Sequence, residues 1–112
     1  MSEYVSQMAF EFLPIVPAPQ GLTIEESFGL FHHANPHIYR LLRAMALEYK
    51  RSGHAHCGMK MLWEALRYSS GVQTRGEPYK LNNNYTAMYA RLLMRQEREL
   101  RGFFEVRERR AM

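Results

Sequence analysis

The sequence predicts a mostly α-helical single domain. It has four helices, a short β-hairpin or ordered loop before the last long helix, and a helix-turn-helix-like layout of the final pair. A chain of 112 residues can bury one core. Apolar residues recur at three- and four-residue steps in four segments, and glycine, proline or asparagine separates these segments. We expect an extended N-terminal arm over 1–22 and the helical domain over 23–112.

The N-terminal arm is predicted to be irregular. Three prolines prevent a helix from about residue 13 onward, namely Pro14, Pro17 and Pro19. Before them, Met8, Phe10 and Phe12 alternate with other residues in a strand-like pattern. We expect the arm to pack on the body, or on a second copy of the chain as an added strand, which would make a homodimer.

Two helices should follow the arm. Thr23-Ile24-Glu25-Glu26 is a capping-box pattern, and it predicts a short helix to about His33. Asn35-Pro36 opens the strongest helix, because asparagine caps well and proline at the first position loses no hydrogen bond. Gly53 fits the left-handed residue that ends this helix. The expected core positions are Ile24, Phe28, Phe31, Ile38, Leu41, Leu42, Met45 and Tyr49.

A third helix is predicted over about 59–70, with Gly71 as its end. Its core side carries Met59, Leu62, Trp63 and Leu66. The helical spacing of apolar residues is lost over 72–81, where a turn at 75–78 separates two short runs that should be extended. This segment is the predicted hairpin or ordered loop. It makes the connection to the last helix about a dozen residues, longer than the three or four of a usual helix-turn-helix.

The last long helix should start after Asn83 or Asn84, with Tyr85, Met88, Tyr89 and Leu92 on its core side. A projection at about 100° per residue places Ala87, Arg91 and Arg98 on the opposite side and Arg95 on the flank. Beyond the helix, Phe103 and Phe104 should cover one end of the core. A basic tail then carries Arg107, Arg109 and Arg110.

Composition favours a cytoplasmic protein. Cys57 is the single cysteine, so the chain cannot form an internal disulfide. No apolar run approaches the roughly 18 to 20 residues that a membrane helix needs, and the N-terminus lacks the basic start of a secretory signal. We therefore expect no membrane association.

Charge is segregated along the chain. Residues 1–34 carry four glutamates and no lysine or arginine, whereas residues 35–112 carry all 15 lysines and arginines against seven glutamates. A basic body favours a polyanionic partner and speeds encounter with it. The alternative is an ordinary solvated basic surface.

The run Asn82-Asn83-Asn84 and the helix after it form the candidate site. Asparagine amides can bond N6 and N7 of adenine, and N–H groups at a helix start can hold a phosphate. The alternatives are helix capping for the asparagines and a solvated face for the arginines. Nearest the bases we expect Asn83, Asn84, Thr86, Ala87 and Arg91. Phosphate contacts are expected from Arg75, Lys80, Arg95 and Arg98. Tyr68 and Tyr79 could stack on unpaired bases or pack.

Metal and catalytic chemistry have no support in the sequence. Histidines and Cys57 occur without a recognised zinc spacing. Phosphate-binding glycine loops, paired carboxylates and a Ser-His-Asp signature are not found. We expect no metal, no cofactor and no enzymatic activity.

Four segments resemble a family of small uncharacterised bacteriophage and prophage proteins. They are FHHANPHIYR (31–40), MLWEALRY (61–68), the run 79–95 and GFFE (102–105). The resemblance spans roughly residues 28–110. It implies a phage or prophage setting and transfers no site residues, because the family has no established activity.

DNA binding through the last long helix is the leading functional expectation, with DNA favoured over RNA. The rival is a non-enzymatic module that binds and modulates a host protein complex. The apolar, acidic arm motivates it, together with Met61, Tyr68 and Met94 if they are exposed.

Overall fold

A computed structural model describes residues 15–74 and 82–105, with side chains described through residue 69 in the first range. Within these ranges the chain is mostly helical and single-domain, as the sequence predicts. Two 3-10 turns, Asn83–Tyr85 and Arg98–Leu100, flank the last helix. The four α-helices are α1 Ile24–Ala34, α2 Pro36–Arg51, α3 Met59–Thr74 and α4 Thr86–Gln96.

The start of α1 confirms the capping box. The Glu26 backbone N–H donates to Thr23 Oγ1 at 3.2 Å. The Thr23 N–H donates to Glu26 Oε1 at 3.0 Å. These bonds hold the pKa of the Glu26 carboxyl below its usual value. Phe31 is buried in the core, and the other two predicted core residues of α1, Ile24 and Phe28, pack against it half-buried.

Asn35 does not cap α2, contrary to the prediction. Its side chain makes no capping bond and is fully buried. The amide instead binds the chain before α1. Oδ1 accepts from the Val16 N–H at 2.7 Å, and Nδ2 donates to the Val16 carbonyl at 2.8 Å and to the Phe31 carbonyl at 2.9 Å. One side chain thereby holds the described part of the arm, whose Ile15 and Ala18 pack against the core.

The core stripe of α2 is confirmed. Ile38, Leu41 and Leu42 are buried, while Met45 and Tyr49 pack half-buried against the core. The end of α2 also agrees with the sequence, since Gly53 has φ of 107°, a conformation that side-chain-bearing residues rarely adopt.

Helix α3 is longer than the sequence predicts. It continues to Thr74 through Gly71, the residue expected to end it. Residues 72–74, expected to be extended, are therefore helical, and the structure does not support the β-hairpin. A lone glycine costs only about 1 kcal/mol in a helix, which neighbouring turns can offset. The remainder of the predicted loop, 75–81, lies outside the described residues.

The C-terminal segment covers the core as expected. Phe103 and Phe104 are both buried. The Cys57 N–H donates to the Phe103 carbonyl at 3.0 Å, and Cys57 and Phe104 form an isolated parallel bridge. This bridge holds the loop before α3 against the chain end. The predicted basic tail lies outside the described residues.

Aromatic rings fill the contact between α1, α3 and α4. Tyr89 is fully buried, with its ring centroid 4.8 Å from that of Phe28 and 5.6 Å from that of Trp63. Burial raises the pKa of the Tyr89 hydroxyl. Neither this hydroxyl nor Trp63 Nε1 has a hydrogen-bond partner among the residues that the structure describes.

Tyr89→Phe should therefore stabilise the protein. A buried polar group without a partner costs about 1–3 kcal/mol, so removing the hydroxyl should raise the free energy of unfolding by about 1 kcal/mol. Urea denaturation measures this change. Tyr68→Phe, on an exposed ring, is the control and should change stability by less than about 0.5 kcal/mol. A destabilised Tyr89→Phe variant would contradict the account.

Across the described ranges, no helix has both the length and the apolar character needed to cross a membrane.

Candidate nucleic-acid interface

The three asparagines before α4 have three different roles. Asn82 Oδ1 accepts from the Asn84 N–H at 2.9 Å, so Asn82 caps the 3-10 turn. Asn83 Oδ1 accepts from Arg67 Nη2 at 2.7 Å. The Asn84 side chain is exposed and makes no hydrogen bond to a described residue. Asn84 is thus the asparagine whose amide is available to a ligand.

The backbone at the head of α4 is already hydrogen-bonded. The N–H groups of Asn84, Tyr85 and Thr86 donate to Asn82 Oδ1, the Asn82 carbonyl and the Asn83 carbonyl respectively. The expectation that N–H groups at the helix start hold a phosphate fails for these three. These three N–H groups are therefore not free to bind an anion.

A surface pocket of about 390 Å³ opens at the head of α4, and we call it the head pocket. Its lining comprises Ile24, Asn83, Asn84, Thr86, Ala87, Met88 and Arg91. All five residues expected nearest the bases therefore line one concavity. Ile24 and Met88, expected to be core, are half-buried and form part of its wall. The Thr86 hydroxyl donates to the Asn83 carbonyl at 2.9 Å, which fixes the head of the helix.

Arg98 does not lie on α4, contrary to the helical projection. The helix ends at Gln96, Glu97 is extended, and Arg98 begins the second 3-10 turn. This break lets Leu100 reach full burial in the core. Arg95 and Arg98 are both exposed. The other two expected phosphate contacts, Arg75 and Lys80, lie outside the described residues.

Cationic side chains from α2 meet the segment after α4. Arg43 Nε donates to Glu97 Oε1, and Lys50 Nζ donates to the Glu99 carbonyl. Arg51 binds both carboxylate oxygens of Glu99, at 2.8 and 2.9 Å. Arg51 also holds the pKa of the Glu99 carboxyl below its usual value, so this ion pair persists into mildly acidic solution.

Three further arginines lie in the same segment, from the last turn of α4 to the end of the second 3-10 turn. Arg95, Arg98 and Arg101 are exposed and make no ion pair with any residue in 15–74 or 82–105. We use the name basic surface for the six cationic side chains Arg43, Lys50, Arg51, Arg95, Arg98 and Arg101. The carboxylates of Glu97 and Glu99 pair with Arg43 and Arg51, so these six positive charges are opposed by two negative charges.

The described histidines do not form a metal site, since no group of three or more His, Cys, Asp or Glu side chains within the described ranges could hold an ion. The ring of His54 stacks on Tyr49, with centroids 3.8 Å apart. Cys57 is buried, which raises the pKa of its thiol. His32 lies between aromatic rings and stacks on Phe28 at 5.8 Å.

His32 should make stability depend on pH. Burial lowers its pKa below 6.5, with a smaller contribution from His33. The unfolded chain therefore binds a proton at higher pH than the folded chain. Stability should be fully present above about pH 6.5 and fall as pH drops from there to the folded pKa. Denaturation midpoints from pH 8 to 5 measure this. His32→Phe should flatten the fall and exposed His56→Gln should not; equal profiles would contradict the assignment.

A scan against protein-family models found no matching family, and searches of curated proteins and of solved structures found no match.

Four members of the basic surface, Arg43, Lys50, Arg51 and Arg101, were missed in the sequence because the surface is assembled from distant segments. Arg43 and Glu97 are 54 positions apart, and Arg51 and Glu99 are 48 apart. The sequence places Arg43, Lys50 and Arg51 off the core stripe of α2 but gives no sign of what they face. Ile24 and Met88 were missed for a different reason, because apolar residues at helical spacing are ordinarily core.

Proposed function

We propose that the chain binds nucleic acid, DNA in preference to RNA, through the basic surface and the head pocket. The observation that carries the proposal is three exposed arginines, Arg95, Arg98 and Arg101, in the segment whose Glu97 and Glu99 bind cations of α2. The negatively charged phosphates of a nucleic acid are attracted to such a surface. Their neutralisation by arginine and lysine releases counterions from the nucleic acid.

One side of α4 connects the two parts of this interface. Ala87, Arg91 and Arg95 follow one another at four-residue steps, which keeps them near one face of a helix. Ala87 and Arg91 line the head pocket, whereas Arg95 belongs to the basic surface. Asn84 and Arg95 are about 16 Å apart along the axis, at about 1.5 Å per residue. That length corresponds to about five nucleotides of one strand.

DNA is preferred because of how α4 is presented. Arg95 and Gln96 are its exposed residues, whereas the residues before them are buried or half-buried. The protein would therefore approach a groove with the C-terminal end of α4 rather than with its whole length. The major groove of B-DNA, about 12 Å wide, admits such an end, while the deep major groove of A-form RNA does not.

The proposed setting is the cytoplasm of a bacterial cell. It rests on the resemblance to phage and prophage proteins and on the composition of the chain, not on an identified relative. In that setting, the abundant polyanion available to a small basic protein is nucleic acid.

Fluorescence anisotropy with labelled duplex DNA, single-stranded DNA and duplex RNA, at one fixed salt concentration, tests the ranking. The proposal expects tighter binding to either DNA than to duplex RNA. Equal affinity for DNA and RNA duplexes would indicate that phosphates alone are recognised. No binding to any of the three at about 50 mM salt would end the proposal.

A protein partner is the second candidate function. Met61 and Tyr68 lie seven positions apart on α3, and their exposed fractions are 46% and 74%. Two turns of helix place them on the same side, and methionine and tyrosine are both enriched at protein interfaces. By contrast, Met94 packs half-buried against the core. Affinity capture from host lysate, comparing the wild type with Tyr68→Lys, tests this candidate. Identical captured proteins would count against it.

A further inference from the structure

We propose that the head pocket receives a single unpaired nucleotide, with adenine preferred. The inference rests on the proposed function, since the pocket adjoins the basic surface through Arg91 and Arg95 on α4. The head pocket would give the interface a preference for one base in addition to its attraction for phosphates.

The size of the head pocket suits one nucleotide. Its volume of about 390 Å³ is at the lower end of the roughly 300–1,000 Å³ typical of small-molecule sites. A duplex cannot enter a concavity of this size. A base must leave the helical stack to reach it, and an unpaired base does so at the lowest cost.

One amide at the pocket can read a base edge. The side-chain oxygen of Asn82 accepts a hydrogen bond from the Asn84 N–H, and that of Asn83 accepts one from Arg67. Asn84 is exposed at the pocket, and its side chain binds no described residue. A carboxamide offers one donor and one acceptor side by side. This arrangement complements N7 and N6 of adenine, which is the base that asparagine reads most often.

The apolar part of the lining suits the face of a base. Ile24 and Met88 are half-buried and border the pocket together with Ala87. A charged phosphate gains nothing from contact with apolar side chains, whereas the face of a planar aromatic ring packs favourably against them. The methionine sulfur adds a favourable interaction with an aromatic ring. Arg91, at the same pocket, is placed to bind the phosphate of the nucleotide.

Three labelled DNA duplexes test the inference by anisotropy. They differ at one position, which is fully paired, carries one bulged adenine or carries one bulged thymine. The two bulged duplexes carry the same charge and differ only in the identity of the unpaired base. We expect the wild type to bind the adenine bulge about fivefold more tightly than the thymine bulge and the paired duplex.

Two variants assign this preference to the pocket. Asn84→Ala removes the amide, and Ala87→Leu fills the pocket. Each should reduce the adenine preference, which is the ratio of the affinities for the adenine-bulged and thymine-bulged duplexes, to about one. Gln96→Ala, exposed on α4 outside the pocket, is the control and should keep the full preference. Far-ultraviolet circular dichroism verifies that every variant is folded.

The outcomes separate the inference from the proposed function. Equal wild-type affinity for the two bulged duplexes overturns the inference and leaves DNA binding standing. A preference that survives in both pocket variants overturns it as well. Failure to bind any of the three duplexes overturns the proposed function and the inference together.

Discussion

The double variant Arg98→Gln/Arg101→Gln should bind duplex DNA roughly 50-fold more weakly at about 0.1 M salt, since each phosphate contact adds about 0.9 to the slope of log affinity against log salt. Two lost contacts should also make that slope shallower by about 1.8. Both side chains are exposed without an ion pair to any described residue, so their replacement should leave the fold intact. Anisotropy titrations at four salt concentrations measure affinity and slope.

A charge-matched control distinguishes this surface from net charge. Lys60 is also exposed, on α3, and it is not a member of the basic surface. Lys60→Glu lowers the net charge by the same two units, so only the long-range attraction should weaken, by less than about fivefold. Equal losses in the two variants would mean that the protein is attracted by overall charge and has no defined binding surface.

Asn35→Leu should lower the free energy of unfolding by about 3 kcal/mol. Leucine has the same branching and number of side-chain heavy atoms as asparagine but cannot bind the Val16 N–H, the Val16 carbonyl or the Phe31 carbonyl. These backbone groups would lose their partner in a partly buried or buried setting. Urea denaturation gives the stability change, and amide exchange at Val16 should accelerate because its acceptor is removed.

Asn84→Ala is the matched control, an exposed amide replaced in the same protein. It should cost less than about 0.5 kcal/mol, the usual range for an exposed substitution. A loss below about 1 kcal/mol for Asn35→Leu would show that the buried amide is not what holds the described part of the arm to the helices.

The local features of the fold could be predicted from the sequence. The capping box at Thr23, the left-handed Gly53 and the buried faces of α2 and α3 depend on residues within a few positions of one another. Short-range steric and hydrogen-bonding rules decide such features, so a single sequence is enough.

Two of the errors, at Asn35 and at the end of α4, arose where a distant contact decides the local structure. Asn35 has the pattern of a cap, yet its partner Val16 is 19 positions earlier. Residues 95–98 are good helix formers, yet α4 stops at Gln96 so that Leu100 can be buried and Glu97 can meet Arg43. Helix propensity amounts to tenths of a kcal/mol per residue, which such contacts exceed.

The candidate site was predicted in part for the same reason. Five of its residues lie between Asn83 and Arg91, in the 3-10 turn and the first turns of α4, so they share the head pocket. The sequence does not show which asparagine side chain is left without a hydrogen bond. In the structure, Asn82 binds the Asn84 N–H and Asn83 binds Arg67 on α3. Arg43, Lys50 and Arg51 joined the interface through tertiary contacts that no local pattern indicates.

The salt dependence of wild-type binding to duplex DNA tests the central claim most directly. If five or six cations of the basic surface contact phosphates, log affinity should fall against log salt with a slope of about −5, and affinity should drop on the order of 10³-fold between 50 and 200 mM. A slope near zero, or no binding at 50 mM, would contradict the assignment of this surface to nucleic acid.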